Sequence, residues 1–198
     1  MPRGRKKGDL GAKRVQIAEG GYQVFLRRGL ERTSLADIAR EIGNSTGVLR
    51  HYFSDKAELL LFAKNLLFDR SYQRAKEAAA RAKGLDKIRA TLVELLPSRA
   101  ENIDACRLLA MFNGSAIGDA HLMKLQHKRN AGHTRLIADL IADLQVQGVV
   151  KKDLRPQFEA AALLALIDGL AEQVIMKPSS WSKADLEFLV DRQITLLA

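Results

Sequence analysis

Two short segments with apolar residues at helical spacing, separated by a glycine, constrain this chain most strongly. The first covers residues 35–42, and the second, STGVLRHYF, covers residues 45–53. Between them, Gly43 and Asn44 interrupt the pattern, because both residue types tolerate a backbone with positive φ. Two short helices joined by about three residues form a helix-turn-helix. The second helix of that motif enters the major groove of DNA, so the spacing predicts a partner as well as a fold.

The residues of the second segment divide into two arcs when they are placed about 100° apart around a helix. One arc holds the small, polar and cationic residues Thr46, Gly47, Arg50 and His51. The opposite arc holds the branched and aromatic residues Val48, Leu49, Tyr52 and Phe53. We expect the apolar arc to pack against the preceding helix and the polar arc to face the bases and phosphates. A helical hairpin that only fills a core is the alternative, and the charge of the chain helps to choose between them.

The net charge is +9, and most of the excess lies at the N-terminal end. Residues 1–54 contain 11 Lys and Arg against 5 Asp and Glu, a net +6, whereas the other 144 residues carry 21 against 18, a net +3. A basic region of this kind suits a polyanionic partner. Residues 1–9, which include PRGRKK, are predicted to form a disordered basic arm. Its Arg3 and Arg5 lie along the DNA backbone or enter a narrow minor groove, with a solubilising tail as the alternative.

The rest of the chain is predicted to be helical, since no alternating strand pattern occurs. The expected helices cover about 10–28, 34–42, 45–53, 55–83, 85–96, 99–116, 120–147, 156–176 and 183–197. Capping pairs open three of them: Ser34 with Asp37, Asp55 with Glu58, and Ser182 with Asp185. We therefore predict an all-α protein. A three-helix, helix-turn-helix domain at 10–54 is joined by a long helix to a larger helical bundle, which together with that helix occupies 55–198.

The run TSLADIAREIGNSTGVLRHYFSDKAELL at 33–60 resembles the DNA-binding domain of the TetR family of one-component repressors. The shared features are the Thr-Ser start, the Ile-Ala of the second helix, Gly43, Ser45, Gly47, the pair Tyr52-Phe53, Lys56 and Leu59. The C-terminal part is similar to the BetI-like branch of that family, through AALLALIDGL at 161–170 and DRQ at 191–193. The resemblance implies a double-stranded palindromic operator, a homodimer, and a small-molecule effector that releases the DNA. A helix-turn-helix protein that binds DNA without sequence preference or small-molecule control is the alternative.

The resemblance also implies roles for individual residues of the helix-turn-helix domain. The residues that face the major groove in the family match Thr46, Gly47, Arg50 and His51. Those that hold phosphates match Thr33, Tyr52 and Lys56. Tyr52 fits this role and the apolar arc at once, because its ring can pack while its hydroxyl reaches outward.

Three features, at four positions, depart from the family pattern. Gly20 and Gly21 stand where the family usually has Ala-Ala, at an expected cost of about 1 kcal/mol each inside a helix. Asn44 replaces the usual Val at the turn, and Arg50 stands where many members have Tyr and the BetI-like branch often has Ser. Arginine can pair bidentately with guanine or hold a phosphate, so the operator of a relative does not transfer to this chain.

Within the C-terminal bundle, the resemblance implies a pocket for the effector. The candidate lining residues are Met111, Phe112, Asn113, Met123, Asp168 and Met176. Asp168 can face a cationic ligand, although helix packing or capping is the alternative, and Met or Phe at helical spacing is also typical of a core. A choline pocket needs an aromatic cage. Between residues 85 and 180 the only aromatic residues are Phe112 and Phe158, so we do not expect choline to be the effector.

The last two helices are predicted to pair with those of a second copy, because the matching helices of the family form a four-helix dimer interface. The candidate interface residues are Leu164, Ile167, Leu186, Leu189, Val190 and Ile194. A two-fold dimer sets its two recognition helices one DNA turn apart, about 34–36 Å.

The sequence disfavours an enzyme, a cofactor and a metal site. His121, His127 and His133 are six residues apart, and rotations of about 240° keep them off one helix face. Cys106 is the only cysteine, and no Gly-rich phosphate loop, nucleophile elbow or paired-carboxylate motif occurs. Neither an apolar run of about 18 residues nor a leader pattern is present, so we expect a cytoplasmic protein that does not use a membrane.

Overall fold

The computed structural model describes residues 7–117 and 120–198, and within these ranges the chain forms nine α-helices and no strand. They are α1 (Lys7–Arg28), α2 (Leu35–Glu41), α3 (Thr46–Tyr52), α4 (Lys56–Arg81), α5 (Asp86–Leu95), α6 (Ala100–Ala116), α7 (Ala120–Val146), α8 (Pro156–Met176) and α9 (Lys183–Ile194). Single 3₁₀ turns follow α8 and α9, at Pro178–Ser180 and Thr195–Leu197. The predicted all-α class is confirmed. In the described ranges, no helix has the length and apolar content that a bilayer crossing requires.

Two of the predicted capping pairs form complete capping boxes. At α2 the Ser34 side chain accepts a hydrogen bond from the Asp37 amide, and the Asp37 carboxylate accepts one from the Ser34 amide. Ser182 and Asp185 make the same reciprocal pair at α9. The Ser34 and Ser182 hydroxyls also donate to these carboxylates, and together with the serine amides they hold the pKa values of Asp37 and Asp185 below the ordinary value. The starts of α2 and α9 are therefore fixed by local sequence.

The turn between α2 and α3 depends on one left-handed residue, not two. Gly43 has a φ of 67°, which glycine adopts without strain. Asn44 keeps a negative φ and closes the turn by hydrogen bonds instead. Its backbone amide donates to the Ala39 carbonyl at 2.8 Å, and its side-chain amide donates to the Ile42 carbonyl at 3.1 Å. The Asn44 departure from the family pattern thus exchanges an apolar contact for a hydrogen-bonded turn.

The described residues fall into two compact units. The first contains the chain up to Leu67 together with Arg107–Ser115, so it comprises α1 to α3, the beginning of α4 and the later part of α6. Its core includes the buried side chains of Ile17, Val24, Phe25, Ile38, Leu49, Phe53, Leu59 and Leu60. These residues come from α1, α2, α3 and α4, so the short recognition segment is held by three other helices.

The paired glycines of α1 lie where that helix packs most closely on its neighbours. A Cβ added at Gly21 would lie 2.9 Å from Leu59 Cδ2 and 3.3 Å from Ile38 Cγ2. A Cβ at Gly20 would lie 2.8 Å from Ile42 Cγ2. All three separations are so short that the neighbouring side chain would have to shift. The close packing of α1 against α2 and α4 therefore offsets the helix stability that the two glycines lose.

The second unit contains Phe68–Cys106 and Ala116–Ala198. Its core is one apolar cluster contributed by α5, α7, α8 and α9. On α5, the Arg89 guanidinium donates to Asp191 at 2.6 Å and to Glu187 at 3.1 Å, which ties α5 to α9. Hydrogen bonds to these carboxylates raise the pKa of Arg89, so the guanidinium keeps its charge.

Most of the residues predicted for the dimer interface belong to this core. Four of them are buried within the subunit: Ile167, Leu186, Val190 and Ile194. Val190 has no exposed surface at all. Burial within the subunit accounts for the apolar periodicity of these four residues, and their place at an interface between two copies stays a prediction. Leu164 and Leu189 pack against the same cluster and are half-buried.

Candidate nucleic-acid interface

The seven residues of α3 present the predicted polar arc outward. Gly47, Arg50 and His51 are exposed, and Thr46 is half-buried. Leu49, on the opposite side, is completely buried. The helix therefore offers one cationic surface to solvent while Leu49 packs into the core of the first unit.

Val48 is the exception within the apolar arc. Its side chain is 37% exposed, although we expected it to pack inward. A rotation of about 100° separates Val48 from Leu49, which places Val48 beyond the strip that the neighbouring helix covers. That expectation was wrong, and the outward surface of α3 is consequently wider and partly apolar.

The position of α3 is fixed at both of its ends and along α2. At its start, the Ser45 hydroxyl accepts a hydrogen bond from the Val48 amide at 3.2 Å, as the predicted cap requires. At its end, the Phe53 amide donates to the Leu49 carbonyl at 2.9 Å. Helices α2 and α3 pack directly on each other, with Ile38 of α2 buried. Such pairing is the geometry of a helix-turn-helix.

A cleft of about 620 Å³ beside α3 brings together three of the predicted DNA contacts, Thr33, Arg50 and Lys56. Arg32 also borders it, and the sequence analysis did not single out this residue. Its place beside Thr33 in the basic N-terminal region was the available signal. Three acidic residues share the cleft, so its cations are not a uniform patch. Arg3 and Arg5, the predicted contacts of the arm, lie outside the described residues.

Thr33 and Lys56 are both engaged by the turn between α1 and α2. The Lys56 Nζ donates to the Leu30 carbonyl at 2.9 Å, which leaves two ammonium protons for another acceptor. Thr33 is only 2% exposed, and its hydroxyl donates to the Gly29 carbonyl at 2.6 Å. In this conformation the hydroxyl proton is therefore committed inside the unit, and the phosphate contact of Thr33 stays a prediction. Thr33 stabilises the turn through its bond to Gly29, and the turn positions Lys56 through the Leu30 carbonyl.

Tyr52 does not extend its hydroxyl outward as predicted. The residue is half-buried, and its ring meets the His51 ring edge-on, with centroids 5.0 Å apart. Its hydroxyl oxygen is buried and has no hydrogen-bond partner among the described residues. The structure therefore contradicts the outward orientation of this hydroxyl, because the packed position of the ring also buries the oxygen. A phosphate contact by Tyr52 requires the side chain to rotate.

An arginine of α1 braces the end of α3, and no sequence signal singled it out. Arg14 Nη2 lies 2.6 Å from Glu58 Oε1. The same guanidinium lies over the rings of Phe53 and Phe62, 4.9 Å and 4.6 Å from their centroids. Glu58 also accepts a hydrogen bond from the Ser54 amide at 2.8 Å. Arg14 thus joins α1, the end of α3 and the start of α4, and it positions the recognition segment.

Two protein-family models match this sequence. Residues 17–62 match the model described as bacterial regulatory proteins, tetR family. Residues 84–198, more than half of the chain, match the model described as BetI-type transcriptional repressor, C-terminal. The chain belongs to the TetR family. This result confirms the resemblance of both the helix-turn-helix region and the C-terminal region.

Individual relatives agree with the TetR assignment. The chain is 32% identical over 196 residues to the HTH-type transcriptional regulator PksA of Bacillus subtilis (strain 168), covering 96% of this chain and 91% of that one. A crystal structure of a transcriptional regulator from Rhodococcus sp. Rha1 superposes with a TM-score of 0.77 at 26% identity, covering 93% and 95% of the two chains. A transcriptional regulator from Saccharomonospora viridis, in complex with choline, superposes with a TM-score of 0.82 at 22% identity over 93% and 96%, which shows a shared fold. This TetR-family protein is a DNA-binding transcriptional regulator and not an enzyme.

The residues predicted for the effector pocket of this TetR-family protein divide between the two units. Met111, Phe112 and Asn113 belong to the first, whereas Met123, Asp168 and Met176 belong to the second. Phe112 is buried, and the Lys64 Nζ lies 4.3 Å from its ring centroid, so it is a core residue of the first unit. Met176 is 79% exposed, which contradicts its assignment to an enclosed lining. Asn113 and Met123 are exposed as well.

Asp168 and Cys106 are two titratable groups of the second unit that interact with each other. Burial raises the pKa of the Cys106 thiol to about 12, and the negative charge of Asp168 adds to the effect. Although Asp168 is on the exposed side of α8, partial desolvation raises the pKa of its carboxyl. Cys106 is therefore a protonated thiol at neutral pH and offers no thiolate ligand. Among the described residues, no three metal-ligating side chains come together.

Proposed function

We propose that this protein is a cytoplasmic, sequence-specific repressor whose recognition helix is α3 and whose operator is palindromic. One observation carries the proposal: α3 turns Arg50 and His51 outward beside the exposed Gly47, while Leu49 fixes the helix from below. A helix held in this way presents its side chains to base edges in a major groove. Arg50 is placed to pair with a guanine, and Thr46 and His51 flank it on the same surface.

Phosphate contacts are assigned to the cations that border the cleft beside α3. Lys56 lies in the first turn of α4, a helix of 26 residues whose positive end favours an anion. Arg32 is exposed on the same cleft. Arg3 and Arg5 of the N-terminal arm are proposed to contact the DNA backbone or a minor groove. Deletion of residues 2–7 is expected to weaken operator binding and to flatten its dependence on salt concentration.

A second copy of the chain is proposed to cover the exposed face of α8. Small residues line the middle of that face, namely Ala161, Ala165 and Gly169. Toward its two ends the exposed side chains are Phe158 at one end and Glu172 and Met176 at the other. Small residues permit close helix approach, and a two-fold axis makes the face complementary to itself. The resulting homodimer places two copies of α3 about 34–36 Å apart on one side of a DNA duplex.

A small molecule bound in the C-terminal region is proposed to release the operator. It does so by preferring a conformation in which the spacing of the two α3 helices no longer fits the DNA. Helix α4 contributes residues to both units and is the covalent connection for this change. Phe112 and Phe158 each lie against a cation of the chain, Lys64 at 4.3 Å and Arg155 at 3.9 Å. A cation therefore covers one face of each ring, so these two rings do not form an aromatic cage for choline.

The test begins with selection of a duplex from random-sequence DNA by the purified wild-type protein. The proposal predicts a palindromic sequence, bound by two copies of the chain, that survives an excess of unselected DNA at physiological salt in a gel-shift experiment. Binding that disappears under this competition would contradict the proposal. It would support the alternative, in which the cationic surface binds any duplex without small-molecule control.

A further inference from the structure

The exposed valine of the recognition helix has no partner that explains it inside the first unit. Leu49 and Phe53 are buried and anchor α3 to the core, so the fold does not require a further branched apolar residue on the outer side. Val48 is 37% exposed between Gly47 and the outward-facing Arg50. Its backbone is fixed, because its amide is bonded to the Ser45 hydroxyl at 3.2 Å. A rigidly placed apolar group therefore stands within the surface that faces DNA.

The neighbouring glycine indicates a close approach from outside the chain. A Cβ added at Gly47 would meet only the Ser45 hydroxyl oxygen, at 3.9 Å, and Gly47 does not have a positive φ. Alanine would fit this position and is the better helix former. Since nothing within the described fold requires glycine, its absent side chain is explained by a surface that comes close to α3. That surface lies immediately beside Val48.

The chemistry of the major groove then selects what Val48 can recognise. Hydrogen-bond donors and acceptors occupy most of the base edges, and the apolar group presented there by unmodified DNA is the C5-methyl of thymine. A valine side chain cannot bond to the polar atoms, but it gains free energy by excluding water from a methyl group. Residues at the beginning of a recognition helix are those that reach base edges.

We propose that Val48 is a specificity-determining residue that contacts the C5-methyl of one thymine in each half of the operator. The proposal rests on the proposed function, since it requires α3 to lie in a major groove. It adds a base preference that the polar residues of α3 do not supply. Gly47 permits this contact by leaving room for the edge of the base pair.

The experiment uses the duplex selected by the wild-type protein, resynthesised with deoxyuridine in place of each thymine in turn. This exchange removes the C5-methyl and leaves the pairing edge unchanged. For the wild type, one symmetric thymine position is expected to lose about fourfold in affinity per half-site, the value of burying one methyl group. Val48→Ala is expected to bind the thymine and deoxyuridine versions of that position equally, while other positions respond as in the wild type.

Val146→Ala supplies the matched control, because Val146 is 88% exposed on α7 in the second unit. This variant is expected to keep the full fourfold response. Circular dichroism checks that Val48→Ala folds like the wild type, as an exposed position allows. If every thymine exchange affects the wild type and Val48→Ala alike, the inference is wrong and the proposed function stands. If selection yields no preferred duplex, both fail together.

Discussion

In α3 the polar side chains face outward and the leucine faces the core, whereas in α8 and α9 the apolar side chains expected at a dimer interface face the core as well. The two regions differ because a polar residue in the sequence predicts its exposure, whereas an apolar residue does not show which surface buries it. Arg50 and His51 could not be buried without a large cost, so their outward position followed from sequence. Ile167 and Val190 are apolar, and an apolar residue is satisfied equally by its own subunit or by another. Helical phase therefore locates a polar site better than it locates an interface.

The largest effect is expected when a carboxylate is introduced into the buried core formed by α8 and α9, and it is compared with a carboxylate on the exposed face of α8. Val190→Asp puts an unpaired carboxylate in the core of the second unit and should lower its free energy of unfolding by about 3–5 kcal/mol. Ala165→Asp, on the exposed face of α8, should leave the subunit helical while separating the proposed dimer. Thermal unfolding and sedimentation velocity measure the two effects. A dimeric Ala165→Asp variant would show that this face is not the interface.

The next effect concerns the division of labour on the DNA-binding side. Arg50→Ala should lower affinity for the selected duplex by about tenfold to a hundredfold per half-site and leave binding to scrambled DNA nearly unchanged. Arg32→Ala is the matched control, since Arg32 is exposed on the same cleft and is assigned to a phosphate. It should weaken both duplexes alike and reduce the salt slope by about one for each half-site. Equal behaviour of the two variants in fluorescence anisotropy titrations would break the distinction between base and backbone contacts.

A smaller change in stability tests how α1 packs, because glycine-to-alanine substitutions at two positions of this helix are expected to have opposite effects. Gly21→Ala places a methyl group 2.9 Å from Leu59 and should destabilise the first unit by about 1–2 kcal/mol. Gly11→Ala meets nothing within 4 Å and should stabilise the helix by up to about 1 kcal/mol. Chemical denaturation gives both values. Stabilisation by Gly21→Ala would mean that the close approach of α1 to α4 is not required.

The smallest effect should be the same in both units, because both contain the same local capping box. Ser34→Ala and Ser182→Ala are each expected to cost about 1 kcal/mol at pH 7. The hydrogen bonds of Ser34 lower the pKa of Asp37 in the folded state, so this stabilisation is present above the unfolded pKa, about 4. It is lost as the pH falls through the folded value. Unfolding curves of wild type and Ser34→Ala should therefore approach each other as the pH falls below about 4, and the remaining difference reports the bond from the Asp37 amide to the Ser34 hydroxyl. A difference that does not change with pH would exclude the carboxylate.

Local sequence signals predicted most of the helix boundaries, whereas contacts between residues distant in sequence were not predicted. Ser34, Ser45 and Gly43 placed the ends of α2 and α3 because caps and left-handed residues act within a few positions of the chain. Arg14 and the exposure of Val48 were missed, since each depends on which helix covers which strip of surface. The burial of Thr33 followed from a hydrogen bond to Gly29 that no spacing rule indicates. Side-chain partners of this kind are set by the packed fold.

The central claim is that the outward arc of α3 faces DNA bases, and a photoreactive side chain at His51 tests it most directly. A benzophenone amino acid would replace His51 in one variant and Phe158, the exposed aromatic residue of α8, in another. We predict that irradiation on the selected duplex crosslinks position 51 to bases within each half-site and that position 158 forms no crosslink to DNA. Crosslinking from position 158 but not from position 51 would contradict the account.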